Sequence, residues 1–153
     1  MASMNLEVQL KAQILGDEKL LKQLVALGDR GSKNAMKAGI RRGMTILRQG
    51  VRSHIPTHAK SIRKAVGSKY NDRRGVAKVG INVGKKKAKG NYAPHGAMYV
   101  LGTGPRYHAD GSYAGEMPEN PVVQKALKSH GSKAYREMKV KIEQRIQKEA
   151  GKT

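Results

Sequence analysis

The sequence contains no cysteine, no phenylalanine and no tryptophan. Without cysteine there is no disulfide scaffold, no thiolate zinc site and no cysteine nucleophile, and the composition is compatible with a cytosolic protein. Without Phe or Trp the largest apolar side chains are Tyr, Met, Leu and Ile, and aromatics reach only 4%. The core is therefore expected to be modest, with partner contacts supplying part of the stability. No apolar run exceeds a few residues, so none is long enough to span a membrane. The N-terminus, Met1-Ala2-Ser3-Met4, lacks a basic stretch followed by an apolar one, and no signal peptide is expected. Residues 1–4 read as a disordered start or a cloning remnant, with Met4 as the natural initiator.

Acids are scarce as well: 11 Asp and Glu face 31 Lys and Arg, a formal charge of +20. The imbalance is local. From Arg30 through Ala109 there are 19 bases against one acid, Asp72, a net of +18; the flanks carry 12 bases and 10 acids. The flanks look like ordinary solvated surface, whereas the middle looks like a field aimed at something anionic.

What is present fits one domain by length, 153 residues. Leu6, Val8, Leu10, Ala12 and Ile14 alternate with polar residues, which predicts a half-buried strand over residues 5–15. Asp17 is a natural helix cap, and Leu20, Leu21, Leu24 and Leu27 follow at helical spacing. Gly28 and Gly31 should break or bend that helix, and Ser32 can cap the next. In it Met36, Ile40, Met44, Leu47 and Val51 form an apolar stripe opposite Lys33, Lys37, Arg41, Arg48 and Arg52. Gly39 and Gly43 lie beside the stripe and are expected to pack closely against another backbone. The helix should stop before Ile55-Pro56.

Further along, a short helix is expected within Thr57–Val66 and a polar turn over 67–75. Ala77, Val79, Ile81 and Val83 alternate as a strand. Gly84 to Gly90, with Lys85, Lys86, Lys87 and Lys89, reads as a hairpin tip, with the strand partner sought in Tyr92–Leu101. Residues 102–119, rich in Gly, Pro, Tyr and His, read as a long interaction loop. Asn120 is placed as the cap of the last helix, with Pro121 at its first position. That helix carries Leu127, Ala134, Met138, Ile142 and Ile146 on one face, a kink at Gly131, and a Glu137–Lys141 pair.

The sequence carries no phosphate-binding loop, dinucleotide fingerprint or nucleophile elbow. The one adjacent acid pair, Asp17-Glu18, sits at a helix N-terminus, where the helix dipole accounts for it. The five histidines, His54, His58, His95, His108 and His130, show no ligand spacing that favours a metal. Neither an enzyme nor a cofactor is expected. The basic tract, with Tyr70, Tyr92, Tyr99 and Tyr107 interleaved, leaves a nucleic-acid-binding module as the alternative reading.

The order of parts resembles the head–tail joining, or tail-completion, neck proteins of lambda-like tailed bacteriophages. A basic amphipathic helix ends in His54-Ile55-Pro56 and is followed by Ser61-Ile62-Arg63-Lys64-Ala65-Val66. A strand, Val76 to Val83, precedes Tyr92-Ala93 and Tyr99-Val100-Leu101-Gly102-Thr103. Met117-Pro118-Glu119-Asn120-Pro121 then opens the C-terminal helix. The chain departs from the family pattern at Ala59-Lys60 (commonly Thr-Gly), Val100 (commonly an acid) and Val122 (commonly Phe). The resemblance implies an α+β fold: a small antiparallel sheet packed against a long amphipathic helix, with a C-terminal helix. It implies a structural virion protein, present in the host cytoplasm during assembly. It would form a ring of six copies at the neck, between the head connector or adaptor and the tail terminator or tail tube, with DNA passing through. A tail terminator is the alternative within that reading. The expected subunit or partner interface comprises Tyr99, Gly102, Thr103, Tyr107, Tyr113, Met117, Pro118 and Pro121. A basic patch of Arg73, Arg74, Lys85, Lys86, Lys87 and Lys89 is expected to meet an acidic partner or DNA.

Overall fold

A computed structural model describes residues 17–85 and 91–151. The strand expected over 5–15, the first four residues, and Lys86, Lys87 and Lys89 lie outside the described residues. The architecture is α+β: two long helices packed together, and two separate two-stranded antiparallel hairpins.

Helix α1 spans Glu18–Ala26. Asp17 caps it as its sequence position implies, accepting the Leu20 N–H at 3.1 Å. Leu20 and Leu24 bury against Ala35, Ile142 and Ile146. Gly28 then turns the chain with φ +68°, and α2 runs directly from Gly28 to Ser53. Ser32 therefore does not cap α2. It lies inside the helix, and its hydroxyl points back to the Leu24 carbonyl at 2.8 Å. One left-handed glycine suffices for the reversal, so Gly31 stays helical.

The C-terminal helix, α5, spans Val122–Ala150. It packs antiparallel along α2. Its side chains cover three glycines of α2: Gly39 lies under Ile142, Gly43 under Met138, and Gly50 under the His130 ring. A Cβ at Gly39 would sit 2.8 Å from Ile142 Cδ1 and 3.0 Å from the Met138 carbonyl oxygen. The glycines thus permit a close helix approach, as expected for Gly39 and Gly43. The apolar stripe of α5 faces inward, with Ala134, Met138, Ile142 and Ile146 buried and Leu127 half-buried. The helix continues through Gly131. Glu137 pairs with Arg42 of α2 at 2.9 Å, not with Lys141. The inter-helix partner wins because a planar guanidinium donates to the carboxylate through both Nε and Nη2.

Asn120 does not cap α5. Its side-chain amide donates to the Tyr99 hydroxyl at 2.8 Å and its N–H donates to the Val100 carbonyl at 3.1 Å. Pro121 is the residue flanking the first turn, and no side-chain cap is made. With the amide held by Tyr99, its oxygen accepts from Lys125 Nζ at 3.3 Å and not from a first-turn N–H.

Between the long helices lie α3, Lys60–Ala65, and the hairpin β1, Val66–Asn71, with β2, Val76–Ile81. Val66 pairs with Ile81, Ser68 with Val79 and Tyr70 with Ala77. Two expectations are corrected here. Residues 67–71 are strand and not turn, and the partner of β2 is β1 and not Tyr92–Leu101. In the latter segment Gly96–Leu101 forms the short helix α4. Gly96 lies beneath Ile81, where a Cβ would come within 2.5 Å of its Cγ2. The inner side of the hairpin joins Val51, Ile55, Val122 and Ala126 in one apolar cluster.

Residues 102–119 are also corrected, from loop to hairpin: β3, Thr103–Tyr107, pairs antiparallel with β4, Tyr113–Met117. Gly102 makes this entry feasible with φ +71°, and a Cβ there would lie 2.7 Å from the Met117 carbonyl oxygen.

Candidate functional site: two exposed hairpins

The β3–β4 hairpin is tied at its base and free along its length. At the base, the Met117 N–H donates to Thr103 Oγ1 at 3.0 Å. Every residue from Gly104 to Ala114 is exposed. The tip turn is built locally: His108 N–H donates to the Ser112 carbonyl at 2.8 Å, and Asp110 accepts from both Ser112 Oγ (2.6 Å) and its N–H (2.9 Å). Those bonds, the side-chain one first, hold the Asp110 carboxyl below the usual carboxylate range. Tyr107 and Tyr113 are directly paired and meet edge-to-face, ring centroids 5.7 Å apart, yet are 65% and 58% exposed. Just before the hairpin, Met98 and Leu101 of α4 are also exposed, Leu101 by 68%.

Of the residues expected at an interface, Tyr107 and Tyr113 lie on this projecting element, and Pro118 is exposed beside its base. Tyr99, Gly102, Thr103 and Met117 support it. Tyr99 is half-buried and holds Asn120, while Gly102, Thr103 and Met117 close the hairpin's foot. Pro121, half-buried, leads into α5.

The second surface is the outer side of β1–β2. Alternation places Val66, Ser68 and Tyr70 inward, so Lys69 faces out, directly opposite Lys78. Both are exposed. After β2, Asn82 turns the chain with φ 62° and grips Ala93: its amide donates to the Ala93 carbonyl at 2.7 Å and accepts the Ala93 N–H at 2.8 Å. Residues 83–85 fold back over the Gly67–Gly80 pair, which brings Lys85 Cε within 3.0 Å of where a Gly67 Cβ would stand. At the turn, Asn71 Oδ1 accepts the N–H groups of Arg73 (3.1 Å) and Arg74 (3.3 Å), leaving both side chains exposed. The one acid of the region, Asp72, is paired with Lys37 of α2 at 2.7 Å.

The structure thus gathers Arg73, Arg74 and Lys85 and adds Lys69 and Lys78. Lys69 escaped sequence reasoning because Gly67, Ser68, Lys69 and Asn71 give no apolar alternation to mark a strand, and Lys78, on the expected strand, was left out because its partner strand was not read. Their signal is the pairing itself.

Elsewhere, the histidines stay dispersed apart from His54 and His130, whose rings meet edge-on at 6.0 Å across the α2–α5 junction. Among the described residues no three His, Asp or Glu side chains gather where a metal could sit, and no helix is long and apolar enough to cross a membrane. Comparison with protein-family models, with curated proteins and with solved structures finds no match to this chain.

Proposed function

We propose that this protein is a structural assembly component of a tailed phage, forming a ring at the neck between the head connector and the tail. The observation that supports it is the β3–β4 hairpin. A two-stranded hairpin is marginal on its own in water. This one keeps two tyrosines exposed above a hydrogen-bonded base and lies next to exposed Met98 and Leu101. Tyrosines so placed offer large contact area at little entropic cost, as interface anchors do. In the proposal, each copy lays this hairpin on its neighbour or on the connector. Ring symmetry repeats the contact, so each one need be only weak.

The test is electron microscopy of lysates from a phage lacking this gene. DNA-filled heads beside finished, unattached tails support the joining role. Infectious intact particles refute it. Tyr107→Ser with Tyr113→Ser then localises the contact: the folded monomer should persist while incorporation into particles is lost.

A further inference from the structure

We propose that the outer face of β1–β2 is a binding site for the phosphate backbone of double-stranded nucleic acid, engaged without regard to base sequence. The inference does not rest on the neck reading, since any protein carrying this face would make the same contact.

The argument starts from the Lys69–Lys78 pair. Directly opposed residues in an antiparallel ladder have Cβ atoms roughly 5 Å apart, and like charges there are destabilising. The chain accepts that pairing in a hairpin whose remaining charges add to it. Arg73 and Arg74 occupy the turn, and Lys85 is folded back onto the same face from beyond β2. Asp72 gives no relief, because its carboxylate is committed to Lys37. Four cations thus lie on one short hairpin with Lys85 folded onto it, and the hairpin's one acid is already paired with Lys37.

The composition of the face selects the partner. A protein interface is built on an apolar centre and is depleted in Lys. Here no large exposed apolar side chain lies on the hairpin, and the exposed groups are Lys69, Asn71, Arg73, Arg74 and Lys78. Single-strand binding surfaces offer aromatic rings for base stacking. The hairpin's only aromatic, Tyr70, sits on the inward register with Val66 and Ser68. What remains is a set of point charges on flexible stems, suited to a closely spaced row of phosphates and not to base edges. Ordering of Asn71 and Asn82 at the two turns fixes where those charges stand.

The test is fluorescence anisotropy of the full chain with a fluorescein-labelled DNA duplex of mixed sequence, titrated at several salt concentrations. Each phosphate engaged contributes about 0.9 to the slope of log affinity against log salt. Lys69→Gln with Lys78→Gln should therefore lower the slope by about two and the affinity at 0.1 M salt by roughly 50-fold. A charge-matched control, Lys128→Gln with Lys133→Gln on α5, should leave the slope unchanged. Equal losses in both variants would reduce the effect to the attraction of a +20 chain and overturn the proposal. So would an absence of duplex binding, including the case in which polyglutamate is bound through the same lysines, which would assign the face to an acidic protein. Should the strand variants fail to fold by circular dichroism, Arg74→Gln with Lys85→Gln repeats the test from outside the strands, with the same two outcomes deciding it.

Discussion

Replacing Gly39 by alanine should destabilise the protein, although the same change usually strengthens a helix. In a helix interior Gly→Ala gains about 1 kcal/mol from backbone entropy. At Gly39 the new methyl meets Ile142 Cδ1 at 2.8 Å and the Met138 carbonyl oxygen at 3.0 Å. Ile142 is fully buried and β-branched, with little rotamer freedom to yield. The carbonyl belongs to the α5 backbone and cannot rotate away. Overpacking of this kind costs about 1–3 kcal/mol, and the backbone clash places Gly39 at or above the upper end. The net loss should be about 2 kcal/mol or more, or a fall in Tm of at least roughly 5 °C for a chain of this length. Gly131→Ala is the internal reference. It lies within α5, where its Cβ would meet the Leu127 side chain at an ordinary 3.5 Å from Cδ1. That variant should gain about 1 kcal/mol. Thermal and urea unfolding followed by far-ultraviolet circular dichroism reads both. If Gly39→Ala raised Tm as Gly131→Ala does, the two long helices could not approach as closely as described.

At Gly43 the obstacle is the flexible Met138 side chain, 2.5 Å away at Cγ. Met138→Ala should therefore cost less in a Gly43→Ala background than in the native chain, with a coupling of about 0.5–3 kcal/mol in a double-mutant cycle. Asn82→Ala removes both bonds to Ala93 and leaves alanine at φ 62°, so it should lose about 2–3 kcal/mol in urea unfolding. Asn82→Gly should lose less, because glycine accepts that backbone. Asp17 and Glu137 are held below the ordinary carboxylate range, Asp17 first by its bond to Lys139 and Glu137 first by its bond to Arg42. Their contribution is present above the unfolded-state pKa and is lost as pH falls through the lowered folded values. Asp17→Asn with Glu137→Gln should accordingly flatten the acid limb of stability against pH; an unchanged limb would show that neither pairing matters to folding.

The long amphipathic helices were legible because their evidence is local and repeated. Leu20 and Leu24, then Met44, Leu47 and Val51, then Met138, Ile142 and Ile146 recur at helical spacing and are buried as that spacing requires. Asp17 stands where a cap belongs and caps. The hairpins were less legible. The sequence of 102–119 shows turn-forming residues without saying that Thr103 and Met117 meet, and the 67–75 stretch hides a strand behind Gly, Ser and Lys. Of the candidate surfaces, Tyr107, Tyr113, Arg73, Arg74 and Lys85 could be named in advance, whereas Lys69 and Lys78 could not.

By itself, then, the sequence determined the helices other than α4, the close packing at Gly39 and Gly43 and a strongly basic middle, since propensity, periodicity and charge need no partner to be read. Only the tertiary structure decided that Val66–Asn71 pairs with Val76–Ile81, that Asn120 serves Tyr99 instead of capping α5, and that Lys69, Lys78 and Lys85 share one hairpin face. The reason is physical. A strand or a side-chain amide takes its partner from wherever the chain's closure brings one, and the apolar contacts that drive that closure join residues far apart in sequence.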